Sequence, residues 1–299
     1  MSTLAAALAA GPVVLDGGLS NQLEAQGCDL SDALWSARLL ADAPGEIAAA
    51  HAAYVRAGAR VVITASYQAT YEGFARAGIG RERAAELLAS SVRLASDAVG
   101  PDGWVAASVG PYGAMLADGS EYRGRYGLTV RELARFHRPR VETLAAAGPA
   151  VLALETVPDA DEAEALLGVC ADVGVPVWLS YTVEGGRTRA GQPLEEAFAV
   201  AAGNDRVIAV GVNCCAPAEV GEAVAAAVAV TGKPAVAYPN SGEAWDPGAR
   251  AWRGGAGRPL AGAREWVAAG ARLVGGCCRV GPGEIAWLAR EVGENPPDI

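Results

Sequence analysis

Hydrophobic and polar positions alternate along the chain in two recurring patterns. Short β-branched runs predict strands, and longer amphipathic stretches rich in alanine and leucine predict helices between them. This order is typical of parallel βα units. The eight predicted strands are Val13–Leu15, Val61–Ser66, Val105–Val109, Val151–Leu154, Val177–Tyr181, Val207–Val212, Ala235–Tyr238 and Arg272–Val274.

Eight βα units in simple succession favour an α/β fold, a single (β/α)8 TIM barrel that spans residues 1–299 as one domain. The competing arrangement is an open, doubly wound sheet. It is disfavoured because no Gly-x-Gly-x-x-Gly motif follows the first strand. Within the helices, we expect Pro139 to break or kink the stretch Arg135–Ala147.

Polar, aromatic and thiol side chains follow the predicted strands. In a barrel the C-terminal strand ends share one face, and active sites are built there. Two carboxylates, Asp16 and Glu155, come directly off a strand, whereas His51 and His137 fall in helical stretches and are expected to be surface or packing residues. Histidine-based catalysis is therefore disfavoured. The other substrate-binding candidates at the strand ends are Gly17, Gly18, Tyr67, Tyr112, Asn213 and Asn240.

Two strand ends each present a pair of adjacent cysteines. The sixth predicted strand leads to Cys214 and Cys215, and the eighth leads through two glycines to Cys277 and Cys278. Thiolates from two segments indicate a metal site, and zinc suits thiolate ligands. The alternative is that these cysteines are small buried hydrophobic residues.

The number of ligands distinguishes a structural zinc site from a catalytic one. Four thiolates would close the site, whereas three leave a fourth position free for a substrate. Successive strand residues point to opposite faces, so we expect only one of Cys214 and Cys215 to face the ion. The strand phase does not choose between them, because both sets of in-phase residues are apolar or small. Cys214 is favoured because it ends the apolar run directly.

Composition restricts the partners and the compartment. The 24 basic and 34 acidic side chains give a net charge of −10, which disfavours nucleic acid and anionic membranes as partners. We find no secretory signal and no run of 18 apolar residues. We therefore expect a cytoplasmic protein, where reducing conditions favour metal binding by the 6 cysteines over disulfides.

Motifs along the chain, from about residue 12 to about residue 290, resemble those of the homocysteine S-methyltransferases. The most specific are Gly275-Gly-Cys-Cys-Arg279 and Gly211-Val-Asn-Cys214, whereas Asp16-Gly-Gly alone would be a weak signal. The others are Thr64-Ala-Ser-Tyr-Gln-Ala-Thr70, Gly110-Pro-Tyr-Gly-Ala114, Asp118-Gly-Ser-Glu-Tyr-Arg-Gly124, Phe136-His-Arg-Pro-Arg140, Glu155-Thr156 and Tyr238-Pro-Asn-Ser-Gly-Glu243.

The resemblance implies a (β/α)8 barrel in which Cys214, Cys277 and Cys278 hold a catalytic zinc ion. It also implies that Asp16 and Glu155 bind homocysteine. The short enzymes that use S-methylmethionine look closest. Relatives that use betaine or folate carry extra segments, which argues against those donors here and leads us to expect a monomer.

The implied reaction transfers a methyl group from a sulfonium, S-methylmethionine or S-adenosylmethionine, to homocysteine and gives methionine. The carboxylate of homocysteine would meet the backbone N–H groups of Gly17 and Gly18. A sulfonium is a cation, and aromatic rings attract cations. The aromatic candidates for the donor pocket are Tyr67, Tyr112, Tyr122 and Trp35.

Two alternatives remain open from the sequence. One is a methyltransferase that acts on another thiol, or that uses S-adenosylmethionine as its main donor. The other is a zinc-thiolate redox or thiol sensor without catalysis, in which the cysteine pairs release zinc on oxidation.

Overall fold

Eight parallel strands form the centre of the computed structural model, which describes residues 2–31, 34–246, 251–253 and 257–293. The strands are Val13–Val14 (β1), Val61–Ile63 (β2), Trp104–Val109 (β3), Val151–Val157 (β4), Val177–Tyr181 (β5), Val207–Asn213 (β6), Ala235–Tyr238 (β7) and Ala271–Val274 (β8). The hydrogen-bonded order is β1-β8-β7-β6-β5-β4-β3-β2, and a parallel bridge between Leu15 and Val61 joins β1 to β2. The sheet is therefore closed, and the predicted barrel with its eight strands is confirmed.

Helices surround the barrel, and none in the described ranges is long and apolar enough to cross a membrane. Two short hairpins, Val183–Glu184 with Arg187–Thr188 and Ala244–Asp246 with Ala251–Arg253, follow β5 and β7. The α-helices are Leu4–Ala10 (α1), Leu19–Ala25 (α2), Ser36–Asp42 (α3), Pro44–Arg56 (α4), Tyr71–Arg76 (α5), Arg81–Val99 (α6), Tyr112–Leu116 (α7), Val130–Ala146 (α8), Ala160–Cys170 (α9), Leu194–Ala199 (α10), Val220–Thr231 (α11), Ala263–Ala268 (α12) and Pro282–Gly293 (α13).

Pro139 lies inside α8 without ending it, so the predicted break does not occur. A proline within a helix removes one hydrogen bond and costs about 3 kcal/mol. α8 offsets this cost in two ways. Thr129 caps its first turn in a capping box, and Leu133, Val141 and Leu144 bury its apolar face.

Alternate strand residues fill the barrel interior. The rings of Trp178 and Tyr238 pack there with their centroids 6.2 Å apart. Leu4 and Leu8 of α1 join the same cluster, so this helix, which precedes β1, closes the N-terminal end of the barrel. Burying each leucine contributes about 1.5–3 kcal/mol. The other buried members are Val13, Leu15, Val61, Ala106, Val151, Ala153, Ala209, Val236 and Leu273.

Strand residues of the opposite phase belong to a second core between the barrel and its helices. Val210 and Val212 of β6 pack in this outer core together with Val220 and Val224 of α11. Both faces of the strands are therefore apolar, as parallel barrels require. The C-terminal strand ends are left for polar side chains and for the cysteines.

Candidate active site

Three cysteine sulfur atoms meet at the C-terminal end of the barrel. The Sγ atoms of Cys214, Cys277 and Cys278 lie within 4.8 Å of one another, with 3.6 Å between Cys214 and Cys278. We call these three residues the thiol cluster. Cys215 lies instead in the outer core. The structure thus brings together the three cysteines that the family resemblance points to and leaves Cys215 out.

A left-handed backbone conformation at Cys214 separates it from Cys215. Asn213, the last residue of β6, turns its side chain inward, where its Oδ1 accepts a hydrogen bond from the Ser180 hydroxyl at 2.8 Å. Strict alternation would then point Cys214 outward and Cys215 inward. The φ angle of Cys214 is 51°, however, so the alternation ends there. This conformation costs a non-glycine residue about 1–3 kcal/mol, a strain that the surrounding structure must hold in place.

Neighbouring loops hold the backbone of the two cysteines after β8. The Cys277 N–H donates to the Pro239 carbonyl at 2.8 Å, and the Cys278 N–H donates to the Asn240 Oδ1 at 3.1 Å. Asn240, a predicted substrate-binding residue, therefore orients the backbone of the thiol cluster. Gly275 allows the chain to approach β1, because a Cβ there would lie 2.5 Å from the Leu15 Cβ.

Gly17 and Gly18 pack against the segment that carries the cysteine pair. A Cβ at Gly18 would lie 2.5 Å from the Cys277 carbonyl oxygen, and a Cβ at Gly17 would clash with the Val280 carbonyl oxygen. The Gly18 N–H donates to this same Val280 carbonyl at 2.9 Å. It is therefore occupied by a backbone acceptor, contrary to the predicted contact with a substrate carboxylate.

Asp16 is a buried carboxylate with an unused acceptor. Its Oδ2 accepts a hydrogen bond from the Ile63 N–H at 2.8 Å, whereas its buried Oδ1 has no partner among the described residues. Burial raises the pKa of Asp16 well above its usual value, the hydrogen bond from Ile63 opposes this shift, and the charge of Glu155 adds to it. A buried acceptor without a donor is rare in folded proteins, so this oxygen suits a cationic ligand group.

Glu155, at the C-terminal part of β4, is the second buried carboxylate. Its Oε1 accepts a hydrogen bond from the Ser108 hydroxyl, and its Oε2 accepts one from the Tyr238 hydroxyl at 3.0 Å. Burial raises the pKa of Glu155 to about 7 against these two hydrogen bonds, and the charge of Cys214 contributes. The carboxyl group therefore titrates near neutral pH.

The Asn213 amide is used within the protein. Its Oδ1 accepts a hydrogen bond from the Thr156 N–H at 2.7 Å, and its Nδ2 donates to the Thr156 hydroxyl at 2.8 Å. Thr156 has a φ of 57°, so Asn213 supports a second strained residue at a strand end. This arrangement favours an orienting role for Asn213 over direct substrate contact.

Two tyrosines lie next to the thiol cluster. The Tyr122 hydroxyl is 3.1 Å from the sulfur of Cys214. Tyr67 is half-buried nearby: desolvation raises its pKa well above the usual value, and the charges of Glu121 and Cys214 raise it further. Both hydroxyls therefore stay protonated and can donate hydrogen bonds at neutral pH.

The other two aromatic candidates differ in their surroundings. The Tyr112 ring packs against Tyr126 and Phe136, with centroid distances of 5.2 and 4.8 Å. Trp35 is 36% exposed. No described contact connects either side chain to the thiol cluster.

Glu121 is a candidate that the sequence reasoning missed. Its side chain is buried, and its Oε2 has no hydrogen-bond partner among the described residues. Burial raises the pKa of Glu121 to about 7, and the charges of Cys214 and Asp118 also raise it. The signal was present in the sequence, because Glu121 lies in the motif Asp118–Gly124 directly before Tyr122.

The thiol cluster fits a tetrahedral zinc ion. Bonds of about 2.3 Å to sulfur place the sulfur atoms about 3.8 Å apart. The distance between the Cys214 and Cys278 sulfur atoms, 3.6 Å, is close to this value, and all three sulfur atoms lie within 4.8 Å of one another. Three thiolate charges at such distances repel one another, so they persist together only around a cation. Three protein ligands also leave one position for a substrate, as catalytic zinc sites do.

Comparison with known proteins identifies close relatives. The sequence profile of the family described as homocysteine S-methyltransferase matches residues 13–292. Homocysteine S-methyltransferase 4 of Zea mays is 44% identical, over 96% of this chain and 91% of its own length. Homocysteine S-methyltransferase of Escherichia coli (strain K12) is 44% identical, over 92% of this chain and 94% of its own length.

A solved structure matches the whole barrel. The metallated form of the homocysteine methyltransferase MmuM from Escherichia coli superposes with a TM-score of 0.84 at 41% identity. The match covers 94% of this chain and 96% of that protein.

Proposed function

The chain belongs to the homocysteine S-methyltransferase family and is a homocysteine methyltransferase, and we propose that it depends on zinc and takes its methyl group from a sulfonium, primarily S-methylmethionine. The observation that carries the proposal is the thiol cluster on the same barrel face as two buried carboxylates. Family membership identifies an enzyme and thereby sets aside the non-catalytic thiol sensor.

Cys214, Cys277 and Cys278 are the proposed zinc ligands. When bound there, zinc would keep the homocysteine sulfur as a thiolate at neutral pH, where a free thiol with a pKa of about 8.5 is mostly protonated. Three thiolate ligands give the site a net charge of about −1, which suits a nucleophilic sulfur better than hydrolysis. Asn240 would keep the two cysteines after β8 oriented through its hydrogen bond to Cys278.

Asp16 and Glu155 are the proposed partners of the homocysteine ammonium group. The unpaired Oδ1 of Asp16 supplies a buried acceptor, and ionised Glu155 supplies a negative charge. A charge-assisted hydrogen bond of this kind contributes about 1.5–3 kcal/mol. Because the Gly18 N–H is occupied, the Gly17 N–H is the backbone donor that we propose for the carboxylate.

Tyr67, Tyr122 and Glu121 are proposed to form the donor side of the site. A sulfonium carries a positive charge, which an aromatic ring stabilises by about 0.5–2 kcal/mol and an ionised carboxylate stabilises directly. Two observations support this assignment. Tyr67 and Glu121 interact electrostatically with Cys214, and the Tyr122 hydroxyl lies 3.1 Å from the Cys214 sulfur.

The proposed reaction is a single displacement at carbon. The homocysteine thiolate attacks the methyl carbon in line, the bond from that carbon to the donor sulfur breaks, and its electron pair stays on the departing thioether. With S-methylmethionine, both products are therefore methionine. The protein contributes mainly by holding the two sulfur centres in line and close together.

A donor competition tests the proposal. Zinc-loaded protein receives homocysteine with equal concentrations of 13CH3-labelled S-methylmethionine and CD3-labelled S-adenosylmethionine, and mass spectrometry reads the label in methionine. We expect the 13C label to predominate and Cys277→Ser to transfer neither. A predominant CD3 label would correct the donor, and no transfer from either donor would refute the sulfonium proposal.

A further inference from the structure

Three buried titratable residues lie behind the site and take no part in the proposed chemistry. His137 and Arg140 belong to α8, Glu162 belongs to the first turn of α9, and each is at most 1% exposed. The His137 Nε2 lies 2.8 Å from the Glu162 Oε1, and the Arg140 Nη2 lies 2.7 Å from the His137 Nδ1. We call these residues the buried triad.

The hydrogen bonds determine where the histidine proton lies. Arginine can only donate, so the His137 Nδ1 accepts from Arg140 and the Nε2 carries the proton that is donated to Glu162. Burial, followed by the charge of Arg140, holds the pKa of His137 well below its usual value. His137 is therefore a neutral link between the buried Arg140 guanidinium and the Glu162 carboxyl group, whose pKa burial raises to about 7. Hydrogen bonds between such buried groups are electrostatically stronger than in water, and here they connect α8 to α9, although the Arg140 Nε and Nη1 and the Glu162 Oε2 have no partner among the described residues.

The buried triad holds the segment that follows β3. The Arg140 Nη2 donates to the Gly110 carbonyl, and the Tyr112 N–H donates to the Glu162 Oε1 at 2.6 Å. We call residues 110–113 the β3 turn. Two of its residues are thus fixed by hydrogen bonds from α8 and α9.

The β3 turn also contacts the groups next to the thiol cluster. A Cβ at Gly110 would lie 2.7 Å from two ring carbons of Tyr67, and a Cβ at Gly113 would clash with the backbone nitrogen of Glu121. The hydroxyl of the next residue, Tyr122, lies 3.1 Å from a sulfur of the thiol cluster. The two glycines bring the backbone of the β3 turn into direct contact with the Tyr67 ring and with the backbone of Glu121. A displacement of the β3 turn would therefore displace Tyr67 and residues 121–122.

We propose that His137, Arg140 and Glu162 are positioning residues for methyl transfer, which fix the β3 turn and through it the donor side of the thiol cluster. The inference rests on the proposed donor side formed by Tyr67, Glu121 and Tyr122. The proposed partners of homocysteine lie at the ends of β1 and β4. Loss of the triad therefore impairs the use of the donor while homocysteine binding is retained.

The two histidines of the chain provide a matched pair of variants. His51, on α4, is also fully buried, and its ring nitrogens have no hydrogen-bond partner among the described residues. His137→Phe and His51→Phe each replace a buried imidazole ring by a phenyl ring. We expect His137→Phe alone to lower kcat/KM for S-methylmethionine, by about 10- to 100-fold. A misplacement of the reacting groups by about 1 Å has an effect of this size. The homocysteine Kd, measured by calorimetry without donor, stays within about twofold in both variants.

A double-mutant cycle with Tyr122→Phe tests the route of the effect. If the triad acts through the donor side, the losses from His137→Phe and Tyr122→Phe are not additive, because both remove the same alignment. If His137→Phe does not fold, Arg140→Lys replaces it. A lysine ammonium keeps the buried charge, but its shorter side chain ends before the position of the arginine Nη2, which donates to both the Gly110 carbonyl and the His137 ring.

Each remaining outcome overturns the inference: kinetics of His137→Phe that match those of His51→Phe, an equal loss of homocysteine affinity, or additive losses in the cycle. Failure of the proposed function is recognised separately. It would appear in the wild-type protein as no methyl transfer from either sulfonium, before any variant is compared, and the inference would fall with it.

Discussion

The sulfur atoms of Cys214 and Cys278 lie 3.6 Å apart, although the two residues follow different strands of the barrel. Cys215, the neighbour of Cys214, points into the outer core. Two adjacent cysteines therefore have opposite surroundings, and replacing each in turn separates metal binding from packing.

Cys214→Ser is expected to lose zinc and methyl transfer, whereas Cys215→Ser keeps full zinc and most of its activity. Cys215→Ser should instead lower the free energy of unfolding by about 1–3 kcal/mol, because it buries a hydroxyl group among apolar side chains. Zinc content by atomic absorption and denaturant unfolding provide the two measurements. A metal-free Cys215→Ser protein beside an active Cys214→Ser protein would reverse the assignment.

Removal of zinc should abolish activity without unfolding the protein. The thiol cluster lies at the rim of a barrel whose two cores are built from apolar side chains. We expect one zinc per chain, loss of methyl transfer on chelation, and a nearly unchanged far-UV circular dichroism spectrum. Recovery of activity when zinc is restored is the control, and wholesale unfolding on chelation would contradict the prediction.

Glu155→Gln should weaken homocysteine binding by about 10- to 150-fold, the equivalent of a charge-assisted hydrogen bond of about 1.5–3 kcal/mol. The substitution keeps the shape of the side chain and removes its negative charge. Calorimetric titration with homocysteine measures the change. An unchanged Kd would show that Glu155 has a structural role only.

The raised pKa of Glu155 predicts a pH dependence of homocysteine affinity. Below about pH 7 the carboxyl group is largely protonated and cannot attract an ammonium group, so affinity should rise between pH 6 and pH 8. Zinc-loaded wild type and Glu155→Gln are titrated at each pH. The part of the rise that belongs to Glu155 should be missing in the variant, and identical pH profiles would refute the assignment.

The same pKa shift has the opposite effect on the stability of the ligand-free protein. The unfolded chain ionises this group near its usual pKa of 4.5 and the folded protein only near 7, so the folded state binds more protons between these values. The contribution of Glu155 to the free energy of unfolding therefore falls as the pH rises through this window. Denaturant unfolding at pH 5 and pH 8 should show a smaller fall for Glu155→Gln than for wild type.

Glu121→Gln should reduce kcat/KM for a sulfonium donor by about tenfold or more, because it removes a buried negative charge worth at least about 1.4 kcal/mol at this position. Asp118→Asn is the matched control. Asp118 lies on the same loop and is exposed, and among the described residues its side chain makes no contact with the thiol cluster. Equal kinetics for the two variants would show that Glu121 does not recognise the donor.

The sequence by itself determined the barrel and most of the residues on its catalytic face. Strand and helix periodicities are local properties, so eight alternating units are visible without any knowledge of the packing. Asp16, Glu155 and the two cysteine pairs were visible for a related reason. In parallel βα units the residues that end strands share one face, whatever the details of the barrel.

Only the tertiary structure decided which of these residues meet and what their environments are. Alternation along β6 would have pointed Cys215 inward, and the strained φ of Cys214 reverses this choice. Glu121 and the partner of the Gly18 N–H depend on contacts between distant loops. The role of His137 depends on α9, which follows it in the chain. Burial and loop contacts are set when the barrel closes, so a local pattern predicts the position of a side chain along its element but not its partners or its pKa.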